Sequence, residues 1–182
     1  LDMQRFMLDR MQADLAALRR REKQLLSAAE GNAAGLTKAH GAVVAIVAAA
    51  DIQALNQTVR TRLPGILDIE AAALCIGDEG ALSLAGATAV GADGIDNLLG
   101  ATQRILLQGQ TQGERFVFGD AAERVKSVAY VRLRTGSNSP TMLLALGSGR
   151  DDGVEKSQAT DLLAFLGDVI EAKLRQCLGP RP

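Results

Sequence analysis

The stretch Met142-Leu-Leu-Ala-Leu-Gly-Ser148, followed after a short acidic connection by Thr160-Asp-Leu-Leu-Ala-Phe-Leu166, decides the fold. An uncharged apolar run of strand length closed by a glycine reads as a buried strand. Downstream, Leu162, Leu163, Leu166, Val169, Ile170 and Leu174 recur at three- and four-residue spacing, which predicts a helix from Glu155 to about Leu178. Upstream, Val128–Arg134 alternates, with Ala129, Val131 and Leu133 on one side and Val128, Tyr130, Arg132 and Arg134 on the other. A buried strand beside a two-faced one, followed by an amphipathic helix, calls for a sheet with helices packed on it.

Towards the N-terminus the pattern continues. Residues 104–107 and 115–118 are short strand candidates, and a short helix is expected at Ile95–Leu99. Residues 71–77 and 81–86 flank Asp78-Glu79-Gly80 as a compact hairpin. Asp51 caps a helix carrying Ile52, Leu55, Val59 and Leu63, which Pro64-Gly65 ends. Another helix is expected from Leu36 to Ala50, behind a break or kink at Gly31–Gly35. The order gives an α+β fold, an antiparallel sheet flanked by helices. Two parts are expected: an N-terminal coiled-coil helix over 1–35 and a domain over 36–182.

The first segment carries the second strong signal. Leu1, Leu8, Leu15, Glu22 and Ala29 repeat every seven residues, as do Gln4, Met11, Leu18 and Leu25. Such a heptad stripe on a lone helix buries too little to be stable in water, so it requires a partner helix. A second copy of the chain is the simplest partner, and a homodimer through this helix is the expectation. Met3 and Phe6 lie off the stripe.

Composition excludes several functions. Over 182 residues the net charge is −1 and aromatics are 3%, which disfavours nucleic-acid binding by charge or by base stacking. The basic run Arg19-Arg-Arg21 with Lys23 is interrupted by acids and reads as a solvated helix face. The longest uncharged apolar run, Gly41–Ala50, spans about 15 Å as a helix, half a bilayer core, so no membrane span is expected. Cys75 and Cys177 read as free thiols of a cytoplasmic protein. The single histidine, His40, reads as a packing or hydrogen-bonding residue. No metal cluster, nucleophile elbow or phosphate loop is present in the pattern, so no catalytic residue and no metal site are assigned, and the chain is expected not to be an enzyme.

The paired motifs Leu144-Ala-Leu-Gly-Ser148 and Leu162-Leu-Ala-Phe-Leu166 resemble the bacterial domain of unknown function 484 family, a relative of the GAF sensor domains. The resemblance extends to Asp2-Met-Gln-Arg-Phe-Met7, to Asn32 and His40, and to Phe118-Gly119 followed by Val125-Lys-Ser127. Met142 stands where the family usually has glycine, and Asp151–Glu155 where it usually has an aromatic after the Gly-Ser turn. The resemblance implies a GAF-like fold with an N-terminal helical extension, and GAF domains hold small molecules between the sheet and the helical middle segment. On that expectation Tyr130 and Arg132 become ligand contacts, with Arg104, Phe118 and Ser127 completing the wall. The function implied is homodimeric small-molecule sensing or signalling with an unknown ligand and cofactor. The alternative is a ligand-free adaptor that dimerises and recruits a protein partner.

Overall fold

The computed structural model describes residues 2–77, 86–91, 93–136, 140–151 and 156–179. The chain divides into two compact units, residues 1–38 and 39–182.

The opening helix, α1 (Asp2–Val47), is unbroken. The break expected at Gly31–Gly35 is therefore corrected. A glycine inside a helix costs about 1 kcal/mol relative to alanine, too little for two of them to interrupt a helix this long. The Thr37 hydroxyl donates to the Ala33 carbonyl (3.0 Å) across the same turn. In residues 1–38 nearly every described side chain is exposed, including Leu8, Met11, Leu15, Leu18 and Leu25, the last 72% exposed.

In the second unit α1 ends with Ala42, Ala45 and Ile46 buried. Then follow α2 (Ile52–Thr61) and α3 (Leu63–Leu67). Asp51 caps α2 as expected, its carboxylate accepting from the Ala54 amide at 2.7 Å. Pro64 does not end a helix but sits in the first turn of α3, where its missing N–H is harmless. The remaining elements are β1 (Ala71–Ile76), β2 (Thr88–Ala89), α4 (Gly94–Leu99), β3 (Ile105–Gly109), α5 (Arg115–Phe118), a 3-10 turn (Gly119–Arg124), β4 (Ser127–Leu133), β5 (Met142–Ser148) and α6 (Lys156–Leu178).

The strands form one five-stranded sheet in the order β2-β1-β5-β4-β3. Neighbours from β1 through β5 and β4 to β3 pair antiparallel, while the two-residue β2 runs parallel to β1 at the edge. The hairpin expected after β1 involves residues 78–85, which lie outside the described residues.

Strand alternation sorts the interior into two cores. On one face Ala72, Leu74, Ile76, Val131, Leu133, Met142, Leu144 and Leu146 pack with Ile46, Leu55, Val59 and, from α6, Leu163, Leu166, Ile170 and Leu174. On the other face Ala73, Cys75, Leu143, Ala145, Val128 and Tyr130 pack beneath Ile95, Leu99, Val117, Phe118, Ala122 and Val125. Residues 115–118, expected as a strand, form α5 instead. Only four residues separate Glu114 from Gly119, and the Phe118 amide closes a helical turn on the Glu114 carbonyl at 2.9 Å. Phe118 and Val117 drop into the second core as a result.

Candidate functional site

The face of the sheet beneath α4 and α5 holds three of the five residues expected to bind a ligand. Tyr130 lies at the centre of β4, opposite Ala145 of β5 and Leu106 of β3. It is buried, and burial first, then repulsion from the Glu114 carboxylate and from Cys75 once that thiol ionises, push its phenol up to about 12. Phe118 belongs to the same cluster. It and Val125 approach the sheet where there is no side chain to obstruct them. A Cβ at Gly147 would stand 2.6 Å from Val125 Cγ2 and 3.3 Å from Phe118 Cε1, and one at Gly113 would stand 2.8 Å from Phe118 Cδ2. The glycine of the Leu-Ala-Leu-Gly-Ser motif is therefore where the covering segment touches the strand.

Arg132, two residues along β4 from Tyr130, is buried and engaged through Nε and Nη2. Its guanidinium pairs with Asp96 of α4 at 2.8 Å and donates to the carbonyls of Gly100 (2.5 Å) and Gln103 (3.1 Å). One cation thus ties the sheet to the end of α4 and the turn after it. A buried guanidinium needs such partners, because an unpaired charge there costs several kcal/mol.

The remaining two residues lie elsewhere. The Ser127 hydroxyl, at the start of β4, donates to the Arg150 carbonyl at 2.8 Å. Around it, Arg150 pairs with Asp68 (2.6 Å) and Arg124 with Glu70 (3.0 Å), and the Gln110 amide donates to Asp151 at 3.0 Å. Arg104 precedes β3 and reaches α6, where it pairs with Asp168 and lies 3.7 Å from Glu171. The hydrogen bond to Asp168 holds its pKa above the ordinary value. Glu171, buried on the apolar stripe of α6, also accepts from the Arg134 amide at 3.0 Å and stands 3.8 Å from Arg175. The structure thus groups Phe118 and Tyr130, sets Arg132 on the same face, and directs Arg104 and Ser127 to separate ion networks.

Asp96 and Glu171 were not singled out from the sequence. Glu171 did leave a trace: it falls one residue after Ile170 on the apolar stripe, and a charge on a buried stripe requires a partner. Asp96 left none, because its partner is 36 residues away on another strand.

The chemistry available here is limited. Cys75 is buried beneath the covering segment and burial pushes its thiol up to about 12, so it stays protonated at neutral pH. Cys177 is also a free thiol. His40 is exposed on α1 rather than packed. Among the described residues no group of three or more His, Cys, Asp or Glu side chains is placed to hold a metal ion. Among them too, no helix is long and apolar enough to cross a membrane.

Fold and site together define an α+β protein: a mixed five-stranded sheet between two layers of helices, and a helix whose first part has its apolar side chains exposed. The chain belongs to the family described as protein of unknown function, DUF484, whose model matches residues 1–177. No curated protein matches the chain.

Proposed function

We propose that this chain is a non-enzymatic, cytoplasmic signalling module that works as a homodimer, with residues 1–38 pairing to a second copy and residues 39–182 forming a GAF-like domain. The observation that carries the reading is the row of exposed Leu8, Met11, Leu15, Leu18 and Leu25 on the first part of α1, where nearly every described side chain is exposed. Leaving such a row in water is unfavourable by about 25 cal/mol for each Å² that a partner could cover. The GAF-like assignment draws support from the sheet lying between a layer of regular helices and a covering segment of short ones.

Small-molecule sensing is the finer reading for the Tyr130 and Arg132 face. A ligand that competes for the Arg132 guanidinium would release α4 and alter how the helices present themselves to a partner. The engagement of Arg132 by Asp96 and two carbonyls favours a second reading, an adaptor that recruits a protein and holds no ligand. Native mass spectrometry of freshly purified protein separates them. One small molecule per chain, lost on Tyr130→Ala or Arg132→Ala, supports sensing; bare protein across preparations supports the adaptor. Light scattering tests what both readings share, and a stable monomer at micromolar concentration removes it.

A further inference from the structure

The first unit holds a charge pattern that distinguishes one way of pairing from another. With Leu8, Leu15, Glu22 and Ala29 at the a positions and Met11, Leu18 and Leu25 at d, the flanking g positions include Asp14 and Arg21, and the e positions include Arg19. Asp14, Arg19, Arg21 and Glu22 are all exposed on the uninterrupted α1. In a parallel, in-register pair each g residue lies beside the partner's e residue five positions on. Asp14 then meets Arg19 of the other copy, and the symmetry makes the pair twice. Each a-position knob enters a hole that includes the partner residue just before the equivalent a position. Glu22 then shares its layer with Glu22 of the other copy, and Arg21 of each copy packs beside the partner's carboxylate. An antiparallel seam sets a against d, so Glu22 would face apolar Met11, Leu18 or Leu25, or else Gln4 in the register that also brings Asp14 against Asp14 of the other copy.

We infer that residues 8–29 form a parallel, in-register seam with a second copy of this chain, in which the Asp14–Arg19 pairs fix the register and Arg21 offsets the two Glu22 carboxylates at the seam. This deepens the homodimer proposed above and rests on it. A charged a position lowers the stability of the seam, and a slip of one heptad would set Asp14 beside Gln12 or Leu26 of the other copy instead of Arg19.

Cysteine cross-linking in a Cys177→Ser background, with the buried Cys75 left in place, tests the arrangement. Met11→Cys and Leu25→Cys are made separately, one in a chain lengthened by a tag. The seam predicts that each variant oxidises to a dimer with itself, and that a co-refolded mixture yields 11–11 and 25–25 products but no mixed 11–25 product. A dominant 11–25 product, or a dimer by light scattering that cross-links at neither position, overturns the seam and leaves the homodimer standing. A monomer by light scattering overturns both. A charge exchange supplies the second reading: Asp14→Arg should raise the dimer Kd about tenfold, and Asp14→Arg with Arg19→Asp should restore it. Failure of the double variant to recover counts against the parallel register.

Discussion

Residues 1–38 and 39–182 use the same apolar vocabulary to opposite ends. In the second unit leucines such as Leu74, Leu144 and Leu166 are fully buried, shared between a sheet and the helices laid on it. In the first, Leu15, Leu18 and Leu25 stand more than half exposed on a helix of the same chain. The difference lies not in the side chains but in what the chain itself provides to cover them. A sheet with helices on both faces is self-sufficient, whereas a heptad stripe is half of a structure and requires the other half from outside.

The contrast is broken most directly by equal truncations in the two units. Leu144→Ala should lower the stability of the domain by about 2–5 kcal/mol in chemical denaturation, because it empties the centre of the main core. Leu18→Ala, tested at a concentration low enough to keep the chain monomeric, should leave that transition unchanged and weaken self-association instead. A loss of domain stability from Leu18→Ala comparable to that of Leu144→Ala would erase the distinction.

Alkaline pH sharpens it next. Cys75 and Tyr130 both lie in the domain, and residues 1–38 contain neither cysteine nor tyrosine. Their ordinary pKa values of 9.0 and 10.0 are each raised to about 12 in the folded protein. Between these limits the unfolded chain binds fewer protons than the folded one, so stability falls as pH rises. The loss should begin above about pH 9, continue to about pH 12 and run at about 1.4 kcal/mol per pH unit for each group within its window. Cys75→Ala should remove the portion that begins near pH 9; a profile unchanged by that substitution would refute the assignment.

Much of this architecture could be read from the chain, and the exceptions have physical causes. The strand at 142–148 and the helix after it announced themselves because their periodicities were long enough to outweigh any local ambiguity. The face assignment along β4 followed from strict alternation, and Ala129, Val131 and Leu133 do lie against the α6 side. Arg-Phe-Val-Phe at 115–118 alternates too, but four residues cannot distinguish a strand from a helical turn, and Gly119 at φ +58 turns the chain there. For the site, the sequence could place Tyr130 and Arg132 on one face. It could not show that Asp96 and two carbonyls take up Arg132, nor that Arg104 turns to α6, because those contacts depend on how distant segments meet.

Two smaller effects refine the comparison. Gly147→Ala should cost the domain about 1–3 kcal/mol, since a methyl group there collides with Val125 and presses on Phe118. Gly31→Ala and Gly35→Ala should act in the opposite sense. Nothing lies within 4 Å of a Cβ at either position, and each substitution should stabilise α1 by up to about 1 kcal/mol, seen as raised helicity by circular dichroism. A destabilising Gly147→Ala beside stabilising changes at Gly31 and Gly35 would separate a glycine required by packing from glycines that packing does not require.

The central claim is that residues 1–38 need a second copy of the chain. Sedimentation equilibrium of the purified protein at micromolar concentration measures this directly. The expected result is a species of twice the 19.1 kDa chain mass, converted to monomer by Leu18→Asp with Leu25→Asp while the domain stays folded. A single 19.1 kDa species from the unaltered chain, unchanged by those substitutions, would contradict it.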